Sequence, residues 1–178
     1  MIRPEFGMGW KKQCQMALAL GGAVLWAGLM PRVSSAQTLP VQKQLPVAMA
    51  LEAASAALEA CQKQGYRVSV TVVDPDGVIK AMLREDGAGP HTLDSSRRKA
   101  YTSASMRART AQVEERVRTD PASAGIRNID QLLPLAGGVP IGAGSDHLGA
   151  IGVGGAPGGD KDEACAMAGL DKIKERLK

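Results

Sequence analysis

From Gln37 to Lys178 this chain carries only two aromatic side chains, Tyr66 and Tyr101. A core without rings has to be filled by Val, Ile, Leu, Met and a great deal of Ala. Small side chains fill space only where the backbones carrying them come close together. The chain is therefore expected to pack its helices tightly on one another and on a sheet. The same scarcity argues against nucleic acid as a partner, because stacking on aromatic rings is how unpaired bases are commonly held.

The other aromatics, Phe6, Trp10 and Trp26, lie in a segment of different character. Lys11 and Lys12 precede an uncharged stretch from Cys14 to Met30, and Ser34-Ser35-Ala36 supplies the small residues of a cleavage site. Residues 1–36 read as a secretory signal peptide. The apolar run is shorter than the roughly 20 residues of a spanning helix and ends at Pro31-Arg32, so no stable membrane anchor is expected after cleavage. Cys14 precedes the apolar run and is badly placed for lipid attachment. The expected location is the periplasm or the exterior.

Arg3, Lys11, Lys12 and Arg32 leave with that segment against only Glu5. Of 22 basic and 18 acidic residues, 18 and 17 remain, a net charge of +1. The basic isoelectric point of about 9.1 thus belongs mostly to the leader and is no argument for nucleic acid binding. The remaining 142 residues suit a single domain, residues 47–178, behind a linker, residues 37–46, that carries Pro40 and Pro46 and has no periodicity.

Apolar residues at Ala50, Ala53, Ala54, Ala57, Leu58 and Cys61 form a helical stripe between Val47 and Gln64, and Gly65 stops it. Tyr66–Val73 alternates with period two. It is joined through Asp74-Pro75-Asp76-Gly77 to a second run, Val78–Arg84, the pattern of a β-hairpin. Further helices are expected at Leu93–Arg107 and over residues 111–118, and strands at Val139–Ile141 and His147–Val153. A last helix opens at Asp160, with Glu163 completing a D-x-x-E capping box, and is striped by Ala166, Leu170, Ile173 and Leu177. The order α-β-β-α-α-β-β-α implies an α+β fold, an antiparallel sheet with the first and last helices on one face. Cys61 and Cys165 fall on or beside the apolar sides of those two helices. A disulfide, which needs Cα atoms within about 7 Å, and a pair of buried thiols are both open.

The glycine-rich run Gly152–Asp160 lacks the Lys-Ser/Thr of a phosphate-binding loop and the spacing of a dinucleotide fingerprint, and reads as a structural turn. Two histidines and two distant cysteines make no zinc signature. No serine sits in a nucleophile elbow. His91 stands out: it lies between the turn Gly87-Ala88-Gly89-Pro90 and the next helix, where backbone holds it on both sides and a ligand can reach it. Thr92 is a candidate N-cap. Imidazole is the commonest proximal ligand of haem iron, and Arg97, Arg98 and Lys99 are the local cations for its propionates. The expected site is His91 on the iron with Thr92, Arg97, Arg98 and Lys99 around the cofactor. His147 is the internal control.

Three stretches, VTVVDPDGVIKAMLREDGAGPHTLDSSRRKAYTSAS, PASAGIRNIDQLLPLAGGVPI and HLGAIGVGGAPGGDKDEACAMAGLDKI, together resemble the GlcG/HbpS-like haem-binding family from about Val47 to the C-terminus. The resemblance implies a profilin-like layered fold, a homo-oligomer, and binding of haem or another tetrapyrrole, with storage, sensing or degradation as roles. Two further readings accompany it. One is an enzyme or accessory factor acting on a small oxidised metabolite of glycolate type. The other is a redox-responsive partner of a membrane sensor, for which a surface-accessible Cys61 or Cys165 is the clue.

Overall fold

A computed structural model describes residues 37–178; the segment read as a signal peptide lies outside the described residues. A compact unit spans Pro40 to Lys178. Its elements are α1 (Val47–Gln62), β1 (Ser69–Val73), β2 (Ile79–Arg84), α2 (His91–Met106), α3 (Thr110–Thr119), a 3-10 helix (Pro121–Asn128), β3 (Gly138–Ala143), β4 (Asp146–Gly154), α4 (Gly159–Ile173) and a final 3-10 turn (Lys174–Arg176). No helix among the described residues is long and apolar enough to cross a membrane.

The four strands form one sheet in the order β2-β1-β4-β3, and every neighbouring pair is antiparallel. The hairpin sets the first pair: Asp74 Oδ1 accepts from the amides of Asp76 and Val78 and closes the turn between β1 and β2. Helices α1 and α4 pack on each other and on one face of the sheet, and α2 covers the other. The expected antiparallel sheet with both terminal helices on one face is what the chain forms.

The two faces are built differently. Between α1, α4 and the sheet lies the main core, where Ala50, Ala53, Ala54 and Ala57 meet Val70, Val72, Ile151, Val153 and Ala166. The helices touch almost backbone to backbone. A Cβ added at Gly169 would lie 2.5 Å from the Ala53 carbonyl oxygen and 2.9 Å from Ala57 Cβ. Close approach replaces the missing rings, as the composition requires. Cys61 and Cys165 are joined in a disulfide across this helix pair, with Cα atoms 5.5 Å apart and both residues fully buried.

Several boundaries differ from the sequence reading. The last residues of the stretch read as linker belong to the fold: Leu45 is fully buried in the main core. Helix α4 is not capped by Asp160. It starts a residue earlier, its N-cap is Gly158 without a side-chain cap, and Glu163 turns to Arg109 at 3.5 Å. Asp162, between them in sequence, points inward and pairs with the buried ammonium of Lys99 at 2.7 Å. The 3-10 helix had no counterpart in the sequence reading, since Pro121-Ala122-Ser123-Ala124-Gly125 has no periodic apolar face.

Candidate functional site at the start of helix α2

The position of α2 follows from small residues on both sides of its contact with the sheet. On β1 the side chains alternate, so Val70 and Val72 face α1 and α4 while Ser69 and Thr71 face α2. Thr92 donates its hydroxyl proton to the Gly89 carbonyl at 2.7 Å and accepts from Ser69 at 2.7 Å. Ser96 donates to the Leu93 carbonyl at 3.0 Å and accepts from Thr71 at 2.8 Å. Each buried hydroxyl is thereby satisfied, which is what makes a polar layer tolerable in the interior. On β4, Gly152 gives the helix room: a Cβ there would sit 2.3 Å from the Ser96 carbonyl oxygen and 2.4 Å from the Ala100 amide nitrogen.

This anchoring fixes the first turn of α2, and His91 is its first residue. The imidazole is exposed and has no hydrogen-bond partner among the described residues. It folds back over the turn, where a side chain at Gly89 would meet ring atoms Cε1 and Nδ1 at 2.7 and 2.9 Å. The exposed ring stands at the junction of the glycine-rich turn and the helix, where the sequence reading expected it. The cap differs. Pro90 is the N-cap residue and Thr92 lies inside the first turn, 1% exposed, with its hydroxyl committed to Gly89 and Ser69. Thr92 supports the loop and does not face a ligand.

The three cations after it also do different work from that expected. Arg97 bonds Asp94 at 2.9 Å and Gln131 at 2.5 Å, and Arg98 donates to the Leu132 carbonyl at 2.7 Å. Together with Thr102, which accepts from the Leu133 amide at 2.7 Å, they hold the 131–133 segment against α2. Arg98 Nε is shielded and has no partner among the described residues. Lys99 is only 2% exposed and cannot meet a propionate from outside. Its Nζ lies 2.7 Å from Asp162 Oδ2, tying α2 to the first turn of α4. The helical period explains the split: Lys99 sits on the face of Thr92, Ser96 and Ser103, the face turned to the sheet.

Sequence reasoning missed the acid at the centre of this arrangement. Asp162 Oδ1 also accepts from the Ala156 amide at 3.0 Å. Burial pushes its carboxyl upward, while Lys99 and the amides of Ala156 and Gly155 pull it down; the upward push is the larger. Gly137 makes the cluster possible, because a Cβ there would lie 2.8 Å from Asp162 Cβ and 2.9 Å from Lys99 Nζ. The adjoining Gly138 amide donates to Thr110 at 2.7 Å and the Ala136 amide to Glu114 at 2.8 Å. The Gly137-Gly138 pair before a strand and an acid in a helix's first turn were the available signals, but they did not say that the two meet.

His147 occupies the other end of α2. Burial, then the nearby Arg107, hold its imidazole below the ordinary histidine range, against a hydrogen bond with the Ala104 backbone that acts the other way. Its Nε2 is shielded from solvent and has no partner among the described residues.

A family model described as "Haem degrading protein HbpS-like" matches residues 45–171. Protein GlcG of Escherichia coli strain K12 is 35% identical over 108 residues, which are 59% of this chain and 77% of that protein. The crystal structure of a double mutant of Streptomyces reticuli HbpS is 37% identical with a TM-score of 0.71, over 90% of this chain and 97% of that one. The PduOC:haem complex is 20% identical with a TM-score of 0.67, over 74% and 96% of the two chains, a likeness of fold.

Proposed function

Because the chain belongs to the family of HbpS-like haem degrading proteins, we propose that it is an exported haem-binding protein in which His91 supplies an axial nitrogen to the iron. The observation that carries this reading is the exposed, unpartnered imidazole held at the first position of α2. Its chemistry fits the group, since imidazole is a common iron ligand. Bound haem would supply a redox-active iron at that nitrogen. Lys99 and Thr92 do not fit as its contacts, being buried and bonded within the protein. Arg97 and Arg98 keep 30% and 32% of their side chains exposed and reach a propionate only by loosening their bonds to the 131–132 segment.

A fold neighbour that was crystallised with haem supports the choice of ligand class. The reading as a redox-responsive partner is less favoured, since Cys61 and Cys165 are fully buried and bonded to each other. A homo-oligomer belongs to the proposal. Val78 and Ile79, at the edge strand β2, are 61% and 45% exposed, and Val47 and Leu51 on α1 are 56% and 46% exposed.

Titration of the protein lacking residues 1–36 with hemin tests the assignment. Saturable binding with a Soret band is expected in the wild type, and His91→Ala should lose or shift that band with an unchanged circular dichroism spectrum. An unchanged Soret band and affinity in His91→Ala would remove His91 from the iron. Absence of saturable binding in the wild type would remove haem altogether. Light scattering on the same sample should give a multiple of the chain mass, and a monomer at every concentration would refute the oligomer.

A further inference from the structure

A cavity of about 440 Å³ opens at the end of α2 remote from His91. Four separate parts of the chain supply its charged and polar groups. Asp76 comes from the β1–β2 turn, Arg107 from the end of α2, Asp146 and His147 from the start of β4, and Lys43 from the segment before α1. Lys43 and Asp146 neutralise each other at 2.7 Å. What remains is one cation, Arg107, one carboxylate, Asp76, and the imidazole of His147. Neither the Arg107 guanidinium nor the Asp76 carboxylate has a side-chain partner among the described residues.

Arg107 does not reach this place by chance of a flexible loop. It is the residue at which α2 stops, in the left-handed conformation with φ of 50°, an uncommon state for a side chain of this size. His147 forms the adjoining wall, with its Nε2 shielded from solvent and without a partner among the described residues. The site thus offers one acceptor, Asp76, and one bidentate donor, Arg107, with no net charge in excess.

That combination matches a small molecule carrying both an ammonium and a carboxylate. A simple anion would meet Asp76 unfavourably, and a simple cation would meet Arg107 in the same way. From these groups we infer that the cavity binds a free α-amino acid, its carboxylate on Arg107 and its ammonium on Asp76, against the wall that His147 forms. A second, smaller hollow of about 100 Å³ shares Pro75 and Asp76 with the first and is walled by Tyr101 and Ser105. The Tyr101 ring lies over Gly77, where a Cβ would be 2.5 Å from it, so the hollow has a fixed floor. It takes a small side chain.

The test uses the protein lacking residues 1–36, without haem, and three probes: L-alanine, propionate and ethylamine. L-alanine should bind saturably and shift the His147 ring resonances while leaving those of His91 in place. Propionate and ethylamine, each lacking one charged group, should bind at least about tenfold more weakly. Arg107→Gln and Asp76→Asn, both at exposed positions, should each weaken L-alanine by a similar factor. Propionate binding as well as L-alanine would make this an anion site and overturn the inference, and ethylamine binding as well would make it a cation site. No movement of His147 with any probe would overturn it too. Loss of hemin binding in His91→Ala bears on the other end of α2 and leaves this result untouched.

Discussion

Replacing Cys61 and Cys165 together by alanine should destabilise the protein by about 4 kcal/mol. The bond links positions 104 residues apart. For a loop of that length, the chain-entropy relation gives a loss of roughly 16 cal/mol/K in the unfolded state, or about 4.7 kcal/mol at 25 °C. Both residues are fully buried between α1 and α4, so truncating the sulfurs adds a small packing loss on the order of 1 kcal/mol. Relaxation of the native state and residual structure in the unfolded chain work the other way, and measured losses fall at about 2–5 kcal/mol. Urea unfolding of the oxidised protein, the reduced protein and the double variant measures this directly. The uncrosslinked forms should also unfold with a steeper urea dependence, because their unfolded chains expose more surface. Equal midpoints for oxidised and reduced protein would refute the reasoning and mean that the α1–α4 packing holds without the bond.

The layer between α2 and the sheet should respond to substitution as sharply. Lys99→Met leaves Asp162 buried without its cation and should cost about 3–5 kcal/mol in chemical denaturation; adding Asp162→Leu should recover most of that, and no recovery would show that the pair is not what ties the two helices. Gly152→Ala should cost about 3 kcal/mol, because the new methyl meets α2 backbone atoms at 2.3 and 2.4 Å and the helix has to lift; a near-neutral change would disprove the close approach. His147 is held below its ordinary value of 6.5, so between that value and the lower folded one the unfolded chain binds a proton that the folded chain refuses. Its contribution is complete above pH 6.5 and is lost as the pH falls through the folded value, so His147→Gln should flatten the decline in stability on acidification, and an unchanged slope would exclude it.

Periodicity and composition were enough for most of the fold. The alanine stripe on α1, the turn at Asp74–Gly77 and the alternation in β1 each have a local cause, and local causes are legible along a chain. Scarcity of aromatics correctly implied helices in close contact, and Gly169 against Ala53 is where that contact occurs. The exposed imidazole of His91 was legible for the same reason, since a glycine-rich turn leading into a helix leaves the helix's first side chain open to solvent. Partners distant in sequence were not legible. Alternation in β1 separates Val70 and Val72 from Ser69 and Thr71, but a polar face reads alike whether it meets water or the hydroxyls of α2. Only the tertiary structure puts Thr92 and Ser96 over it and buries both layers. Lys99 next to two arginines looks like a third surface cation, and its burial depends on Asp162, 63 positions away, and on a glycine at 137 that leaves room for both. Sequence spacing determines which face of a helix a residue occupies; what waits on that face is decided by how the layers stack.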